Sequence, residues 1–284
     1  MIENIPLDPR VNAFRPDMAD VSLKPFVKAE RYVEPRLQQC VCGIVPLLVA
    51  PDPTAPRISE IRYGEFVDVL EQRANGYAWV QNRNDRAVGY MMARDSLSEG
   101  IAALMNRINV LHTFVYAKPD LNSPVIDRLT LGSYVSLDGD AGDYYPLASG
   151  GFVFKKHVAP TDEVACADYV FTAGQLLNVP YLQGGRTPLG IDGAGLVQFT
   201  LDLAGYDCPR FDDQQRETFG RPLPCHWRDA IWRRGDLVFF EGHAGIMTGF
   251  DHIINADPSC MQVVVEPLAD LVGRGHTILA AGRP

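Results

Sequence analysis

The stretch that decides the fold of the carboxyl-terminal part is WRRGDLVFFEGHAGIM, residues 232–247, with HIINADPSCMQVVVEPL, residues 252–268, shortly after it. Within these blocks, short apolar runs such as 237–240 and 262–266 alternate with glycine, aspartate and proline. Runs of this length bounded by turn residues are typical of β-strands joined by tight connections. The sequence therefore predicts an antiparallel series of strands in this region.

The residues before these strands have helical spacing. In DEVACADYVFTAGQLLN, residues 162–178, apolar and small side chains recur on one face, and Asp162 stands at a position suited to an N-cap. That face consists of Val164, Ala167, Val170, Phe171, Gly174 and Leu177. A second helix is predicted from about 194 to 204, with Asp192 just before it. Its expected buried residues are Leu196, Val197, Phe199, Thr200 and Leu203. Helices followed by antiparallel strands indicate an α+β domain over residues 161–284.

The first half of the chain contains an internal repeat, in which residues 48–80 align with residues 116–147. The paired positions include Pro51 with Pro119, Gly64 with Gly132 and Val67 with Val135. Each copy has short strands separated by turn signals, which is typical of a small barrel. We therefore expect two all-β, SH3-like barrels at 39–100 and 101–160, preceded by an extended arm over residues 1–38.

Composition argues against several classes of partner. The 26 Lys and Arg against 35 Asp and Glu give a net charge of −9, which disfavours binding to nucleic acid or to an anionic membrane surface. The sequence has no apolar run of about 18 residues, so no membrane insertion is expected. No signal peptide is visible, which predicts a cytoplasmic location with the six cysteines as free thiols. No metal-ligand spacing or phosphate-binding loop is present, so neither a metal nor a cofactor is expected. The oligomeric state stays open.

Three blocks together, VPYLQGGRTPLGIDGAGLVQ (179–198), 232–247 and 252–268, resemble the NlpC-type papain-like cell-wall peptidases. The order of the blocks carries the resemblance: a Gly-Gly loop, an Asp-capped helix, a Gly-Asp strand and a His-x-Gly-Ile strand. The paired SH3-like repeats fit one subgroup of that family, which cuts γ-D-glutamyl–diamino acid bonds in murein peptides. The resemblance implies a papain-like α+β domain and a small murein-derived peptide as partner.

The resemblance also implies a catalytic machinery, and this sequence departs from it. In the family a Cys thiolate at a helix start attacks the amide, a His takes its proton, and a third polar residue orients the His. Here Gly193 occupies the nucleophile position and Ala194 replaces the serine that follows it. His243 matches the base, and Asn255 stands at the third position.

The resemblance further implies residues that read the free amine of a terminal L-Ala. Tyr181 and Asp192 match two of them, and Glu65 and Tyr90 are the candidates from the first barrel. Three of them have a plainer interpretation: Asp192 as an N-cap, Glu65 as a solvated strand residue and Tyr90 as an aromatic residue of the barrel. His276 matches no motif and is expected at the surface.

Three hypotheses stay open. The chain is a pseudoenzyme that binds a γ-glutamyl peptide without cleaving it. Alternatively, it is an active hydrolase that uses a displaced thiol such as Cys260 or Cys166, or a relative whose nucleophile has been replaced at position 193. The third possibility is an interaction scaffold with a vestigial cleft.

Overall fold

A computed structural model describes residues 7–100, 102–161, 165–223 and 225–284. The chain divides into two compact units, Met1–Pro160 and Thr161–Pro284.

The first unit consists of short strands and two 3₁₀ turns, Val21–Leu23 and Lys155–His157. Its strands are β1 (Phe14–Arg15), β2 (Met18–Asp20), β3 (Arg31–Val33), β4 (Arg36–Cys40), β5 (Ile44–Leu48), β6 (Arg57–Arg62), β7 (Phe66–Gln72), β8 (Tyr77–Asn82), β9 (Val88–Met92), β10 (Leu97–Ser98), β11 (Asn106–Ile108), β12 (His112–Tyr116), β13 (Val125–Thr130), β14 (Tyr134–Val135), β15 (Tyr144–Pro146), β16 (Phe152–Phe154) and β17 (Val158–Pro160). They form sheets in the orders β1-β2-β3, β10-β4-β7-β8-β9-β5-β6, β14-β11-β17 and β13-β12-β16-β15. The pairing is antiparallel except between β2 and β3.

The sequence repeat has a counterpart in the backbone of this unit. Gly64 and Gly132 both adopt a left-handed conformation, with φ of 85° and 79°, which glycine reaches without steric cost. Val67 and Val135, three residues further on, are both fully buried. They belong to different apolar clusters, one around Leu47 and Val80 and the other around Leu129 and Val153. The number of barrels and the domain limits at 39–100 and 101–160 stay predictions.

The predicted amino-terminal arm contributes its own small sheet. Ala13 and Met18 are 1% exposed and pack with Trp79 and Val88 in a further cluster. Residues 7–38 are therefore anchored by apolar burial, while residues 1–6 of the predicted arm lie outside the described residues.

The second unit has helices before most of its strands, in the predicted α+β order. Its helices are α1 (Tyr169–Gln175), α2 (Gly193–Leu203), α3 (Asp212–Phe219) and α4 (Leu268–Gly273). Its strands are β18 (Arg186–Thr187), β19 (Gly190–Ile191), β20 (Gly220–Arg221), β21 (Leu237–Phe240), β22 (His243–Met247), β23 (His252–Asp257), β24 (Gln262–Pro267) and β25 (Ile278–Gly282). The main sheet is antiparallel, in the order β20-β25-β21-β22-β23-β24, and α2 packs on β22 and β23.

Of the two predicted helices, the structure confirms the bounds of one and corrects those of the other. The second is confirmed as α2, and all five residues expected on its inner face are buried. The first was predicted over 162–178, but helix α1 begins only at Tyr169, because the Asp168 carboxylate accepts the N–H of Phe171 and caps it there. The predicted inner face was largely wrong: Val170 is buried, but the other described members of that face, Ala167, Phe171, Gly174 and Leu177, are exposed, and Ala167 and Leu177 lie outside the helix. The predicted cap Asp162 and Val164 lie outside the described residues.

Within the described ranges, no helix is both long and apolar enough to cross a lipid bilayer.

Candidate active site

Helix α2 starts at the centre of the candidate site, and Asp192 is its N-cap. The Oδ1 atom of Asp192 accepts the N–H of Gly195 at 2.7 Å, and Oδ2 accepts the N–H of Gly184 at 2.9 Å. One carboxylate therefore fixes both the first turn of the helix and the Gly-Gly loop that precedes it. The plainer interpretation of Asp192 as a helix cap is confirmed.

The same carboxylate has a partner that the sequence analysis did not predict. Arg210, 2% exposed, donates from Nη1 to Oδ1 at 3.1 Å and from Nη2 to Oδ2 at 2.7 Å. Each oxygen of Asp192 thus accepts two hydrogen bonds, which fills the acceptor capacity of a carboxylate. Its negative charge is balanced inside the protein, so the ammonium group of a ligand would compete with Arg210 for it.

Gly193 is the first residue of α2 and is buried. A Cβ atom built on it would lie 2.7 Å from Nδ1 of His243 and 3.0 Å from the carbonyl oxygen of Ala244. The imidazole ring therefore stands directly against the position from which a nucleophilic side chain would extend. Gly195 differs, because a Cβ there would meet the backbone oxygen of Gly185 at 2.2 Å, so close backbone packing requires glycine at that position.

The strand register brings His243 and Asn255 together. Gly245 on β22 lies opposite Asn255 on β23, so His243, two residues before Gly245, shares the face of Asn255. Nε2 of His243 lies 3.0 Å from Oδ1 of Asn255. The predicted pair of base and orienting residue is thus assembled, with the other ring nitrogen, Nδ1, directed at position 193.

Asn255 is in turn held by charged residues. Its Nδ2 group donates to Oε1 of Glu266 at 2.9 Å, and Arg274 binds both carboxylate oxygens of Glu266 at 2.8 and 2.6 Å. Arg274 also donates to Asp257 at 2.8 Å. Burial opposes ionisation of Glu266, but Arg274 and Asn255 outweigh it and lower the pKa of this carboxyl. A continuous polar chain therefore runs from the imidazole to an ion pair.

Burial sets the protonation of the base. His243 is 5% exposed, and burial lowers its pKa below the usual value, against a smaller opposing effect of the Asn255 hydrogen bond. The ring is therefore neutral at pH 7.

Aromatic rings form one wall around this imidazole. The ring of His276 lies 5.4 Å from that of His243, and Phe240 contacts both at 5.8 Å. His276 is half-buried, so it keeps some of the surface exposure that was expected, and it also contacts the His243 ring, which was not predicted. Local sequence does not predict this contact. His276 lies two residues before β25, His243 begins β22, and β21 separates these two strands in the sheet.

The loop residues surround the helix start. Tyr181 is half-buried, and its Oη–H donates to Oε1 of the exposed Gln183 at 2.6 Å. Burial, with the nearby charge of Asp192, raises the pKa of Tyr181. Ala194 is half-buried, and its carbonyl accepts a hydrogen bond from Gln215 at 2.9 Å.

The two candidates from the first unit have internal partners. The side chain of Glu65 has no exposed surface and binds Arg62 at 2.9 Å, which is the environment of a structural carboxylate. Its alternative interpretation as a solvated strand residue was therefore wrong, because Glu65 is buried and lies between β6 and β7. Tyr90 is half-buried and accepts a hydrogen bond from Arg15 at 2.8 Å.

Of the two thiols proposed as displaced nucleophiles, Cys260 lies in surroundings opposite to those that activate cysteine. All six cysteines are free. Burial and the charge of Asp257 raise the pKa of the Cys260 thiol, which contacts backbone oxygens of Asp257 and Gln262. The Cys166 thiol contacts the carbonyl oxygen of Asp168 at 3.5 Å. A reactive cysteine needs the opposite effect, a lowered pKa near a cation or a helix start.

A metal would need several donors in one place. Among the residues that the structure describes, no group of three or more His, Cys, Asp and Glu side chains is clustered to hold one.

Comparison with known families supports the resemblance. Residues 178–279 match the NlpC/P60 family model, and residues 47–95 match the model of the bacterial dipeptidyl-peptidase SH3 domain. The carboxyl-terminal unit is an NlpC/P60 domain. His243, Asn255 and position 193 all lie within the matched range.

Relatives of known name agree with this NlpC/P60 assignment. A protein named dipeptidyl-peptidase 6, from Lysinibacillus sphaericus, is 28% identical over 78% of this chain and 88% of its own length. A gamma-DL-glutamyl hydrolase from Bacillus subtilis is 32% identical over 120 aligned residues. The aligned segment covers 39% of this chain and 28% of that protein. The crystal structure of an NlpC/P60 family protein from Bacillus cereus superposes with a TM-score of 0.70, at 16% identity, over 87% of this chain and 99% of that one.

Proposed function

We propose that this chain is a degenerate homologue of the γ-D-glutamyl–diamino acid endopeptidases, and that it binds a peptidoglycan-derived or other γ-glutamyl peptide without cleaving it efficiently. The observation that carries the proposal is Gly193 at the start of α2, facing an imidazole that still has its orienting partner. The names of the relatives, a dipeptidyl-peptidase and a gamma-DL-glutamyl hydrolase, support the class of ligand.

The chemical argument starts from the missing side chain. Cysteine peptidases form a covalent acyl-enzyme through a thiolate, and removal of such a nucleophile typically lowers turnover by about a million-fold. His243 has no thiol proton to remove at position 193. We expect peptide binding to survive this loss, because it depends on the side chains around the site and not on the nucleophile.

The ligand contacts in this proposal are Tyr181, in the loop before α2, and Ala194, the second residue of α2. Tyr90 of the first unit stays a prediction from the sequence. Direct contacts from Asp192 and Glu65 are less favoured, because both carboxylates are already paired with arginines. The proposal therefore assigns these two acids a mainly structural role.

Calorimetry with L-Ala-γ-D-Glu-diaminopimelate tests the proposal, and the α-linked isomer of the same tripeptide serves as the matched control ligand. We expect binding of the γ-linked peptide only, with no released L-Ala-D-Glu detectable by mass spectrometry. Absence of heat at millimolar γ-linked peptide would overturn the binding proposal and favour the scaffold hypothesis.

Efficient release of the dipeptide would instead favour the active hydrolase. Alkylation of purified protein, with peptide mapping at Cys166 and Cys260, would then show whether either thiol serves as nucleophile. The cytoplasmic location belongs to the same proposal, and cell fractionation checks it.

A further inference from the structure

The side-chain amide of Asn255 has a donor end and an acceptor end, and the two ends meet different partners. One lies 3.0 Å from Nε2 of His243, and the other lies 2.9 Å from Oε1 of Glu266. Asn255 is 0% exposed. The oxygen and the NH₂ group have similar size, so packing alone does not choose between the two orientations of the amide. The chemistry of the partners must choose.

Glu266 makes this choice because an ionised carboxylate only accepts hydrogen bonds. The guanidinium group of Arg274 donates to both carboxylate oxygens of Glu266, at 2.6 and 2.8 Å. This contact favours the ionised form of Glu266. The NH₂ group of Asn255 must therefore face Glu266, and its oxygen must face His243. That oxygen is itself only an acceptor, so Nε2 of His243 has to carry a hydrogen.

We propose that Glu266, paired with Arg274, is a positioning residue that fixes the tautomer of His243 through Asn255, with the hydrogen on Nε2 and the lone pair on Nδ1. A neutral imidazole carries one N–H, so the lone pair of Nδ1 is directed at position 193. The ion pair of Glu266 and Arg274 thus determines that Nδ1, which faces position 193, is a hydrogen-bond acceptor, although neither residue contacts the imidazole directly. The inference goes beyond the proposed function, because it holds whether or not a peptide binds.

Other groups near the ring do not offer the same control. The titratable or charged groups around His243 are His276, whose ring is 5.4 Å away, and the carboxylates of Asp192 and Asp257. Asp192 is paired with Arg210, and Asp257 with Arg274. In the described part of the chain, the hydrogen-bond partner of Nε2 of His243 is the side-chain amide of Asn255. The orientation of this amide therefore sets the tautomer.

Nitrogen-15 NMR of histidine-labelled full-length protein at pH 7.5 tests the proposal, with the His243 signals assigned by their loss in His243→Gln. We expect the wild type to show the neutral Nε2–H form of His243. The isosteric variant Glu266→Gln presents either an amide oxygen or an NH₂ group to Asn255. We expect it to lower the ratio of the two tautomers about tenfold, since a charge-assisted hydrogen bond becomes a neutral one. Glu71→Gln, which removes a carboxylate paired with Arg15 in the first unit, is the matched control and leaves the ratio unchanged.

Two results would overturn the proposal. One is a wild-type spectrum of His243 with its hydrogen on Nδ1, a result that needs no variant and so does not depend on whether any variant folds. The other is a folded Glu266→Gln protein with the wild-type tautomer ratio, which would leave Glu266 with a packing role only.

Discussion

Replacing Gly193 by cysteine tests whether the rest of the catalytic machinery is still usable. The new Cβ would lie 2.7 Å from Nδ1 of His243, whereas unstrained contacts lie near 3.5 Å, so the ring must retreat by about 0.8 Å. Overpacking of this kind costs about 1–3 kcal/mol, and loss of glycine at a helical position returns up to about 1 kcal/mol. We expect Gly193→Cys to fold with a net loss of about 0–3 kcal/mol in the free energy of unfolding.

The new thiol should be strongly activated. It would stand at the first position of an 11-residue helix and beside an imidazole, two features that lower cysteine pKa values to roughly 3.5–7.5. Iodoacetamide at pH 6.5 should therefore label position 193 first, ahead of Cys260, whose pKa is raised. Peptide mapping by mass spectrometry measures the rate at every thiol of the same sample.

The control is Gly193→Ala, which introduces the same Cβ without sulfur. We expect Gly193→Cys, and not Gly193→Ala, to release L-Ala-D-Glu from the γ-linked tripeptide, because only the thiol supplies a nucleophile. If the thiol at 193 reacts no faster than Cys166 in a protein that melts like Gly193→Ala, then the helix start and His243 do not form an activating site, and our reasoning on the cleft is wrong.

Three further predictions concern stability. Arg210→Gln leaves a buried carboxylate without its cation and should cost about 3–5 kcal/mol in urea unfolding, whereas Arg234→Gln, which breaks an exposed pair, should cost less than about 1 kcal/mol; equal losses would contradict the assigned burial. Gly195→Ala should cost about 3 kcal/mol or more, because its Cβ would lie 2.2 Å from a backbone oxygen. Gly193→Ala should cost less, about 0–3 kcal/mol, because its Cβ would lie 2.7 Å from the His243 ring and no closer than 3.0 Å to backbone; thermal melts that rank the two in the other order would refute this. Burial lowers the pKa of His243 in the folded state, so the unfolded chain binds the proton first as the pH falls below about 6.5, and stability is lost there. The wild type should therefore lose more stability than His243→Gln between pH 7.5 and 5, as measured by urea unfolding at each pH.

The elements predicted well from the sequence are those with a local signal. Helix α2 is a mostly apolar segment with an aspartate just before it, and nine of its eleven residues are buried. The strand that begins at His243 is a short apolar segment. The first helix was harder, because Asp162 and Asp168 both suit an N-cap, and the choice between them shifts the buried face. Local sequence patterns thus predicted that both helices exist, but they did not predict the residue at which α1 begins.

The charged partners in the site could not be predicted in the same way. Arg210 reaches Asp192 across 18 residues and belongs to no periodic pattern. Glu266 lies near the end of the apolar strand β24, where a charged residue is expected to face solvent. Its contact with Asn255 is evident only when β24 is placed in register against β23. These contacts depend on tertiary placement, and a single sequence carries no local sign of them.

The polar chain behind His243 bears on which hypothesis is physically reasonable. The ion pair at its end, between Glu266 and the exposed Arg274, is of a kind that contributes little net stability. Asn255, Glu266 and Arg274 nevertheless satisfy one another, and together they direct an acceptor nitrogen at the start of α2. A vestigial cleft has no use for such an arrangement, whereas a cleft that recognises a hydrogen-bond donor does. The orientation of His243 therefore supports our proposal of a ligand-binding site over the scaffold hypothesis, even though position 193 has no nucleophile.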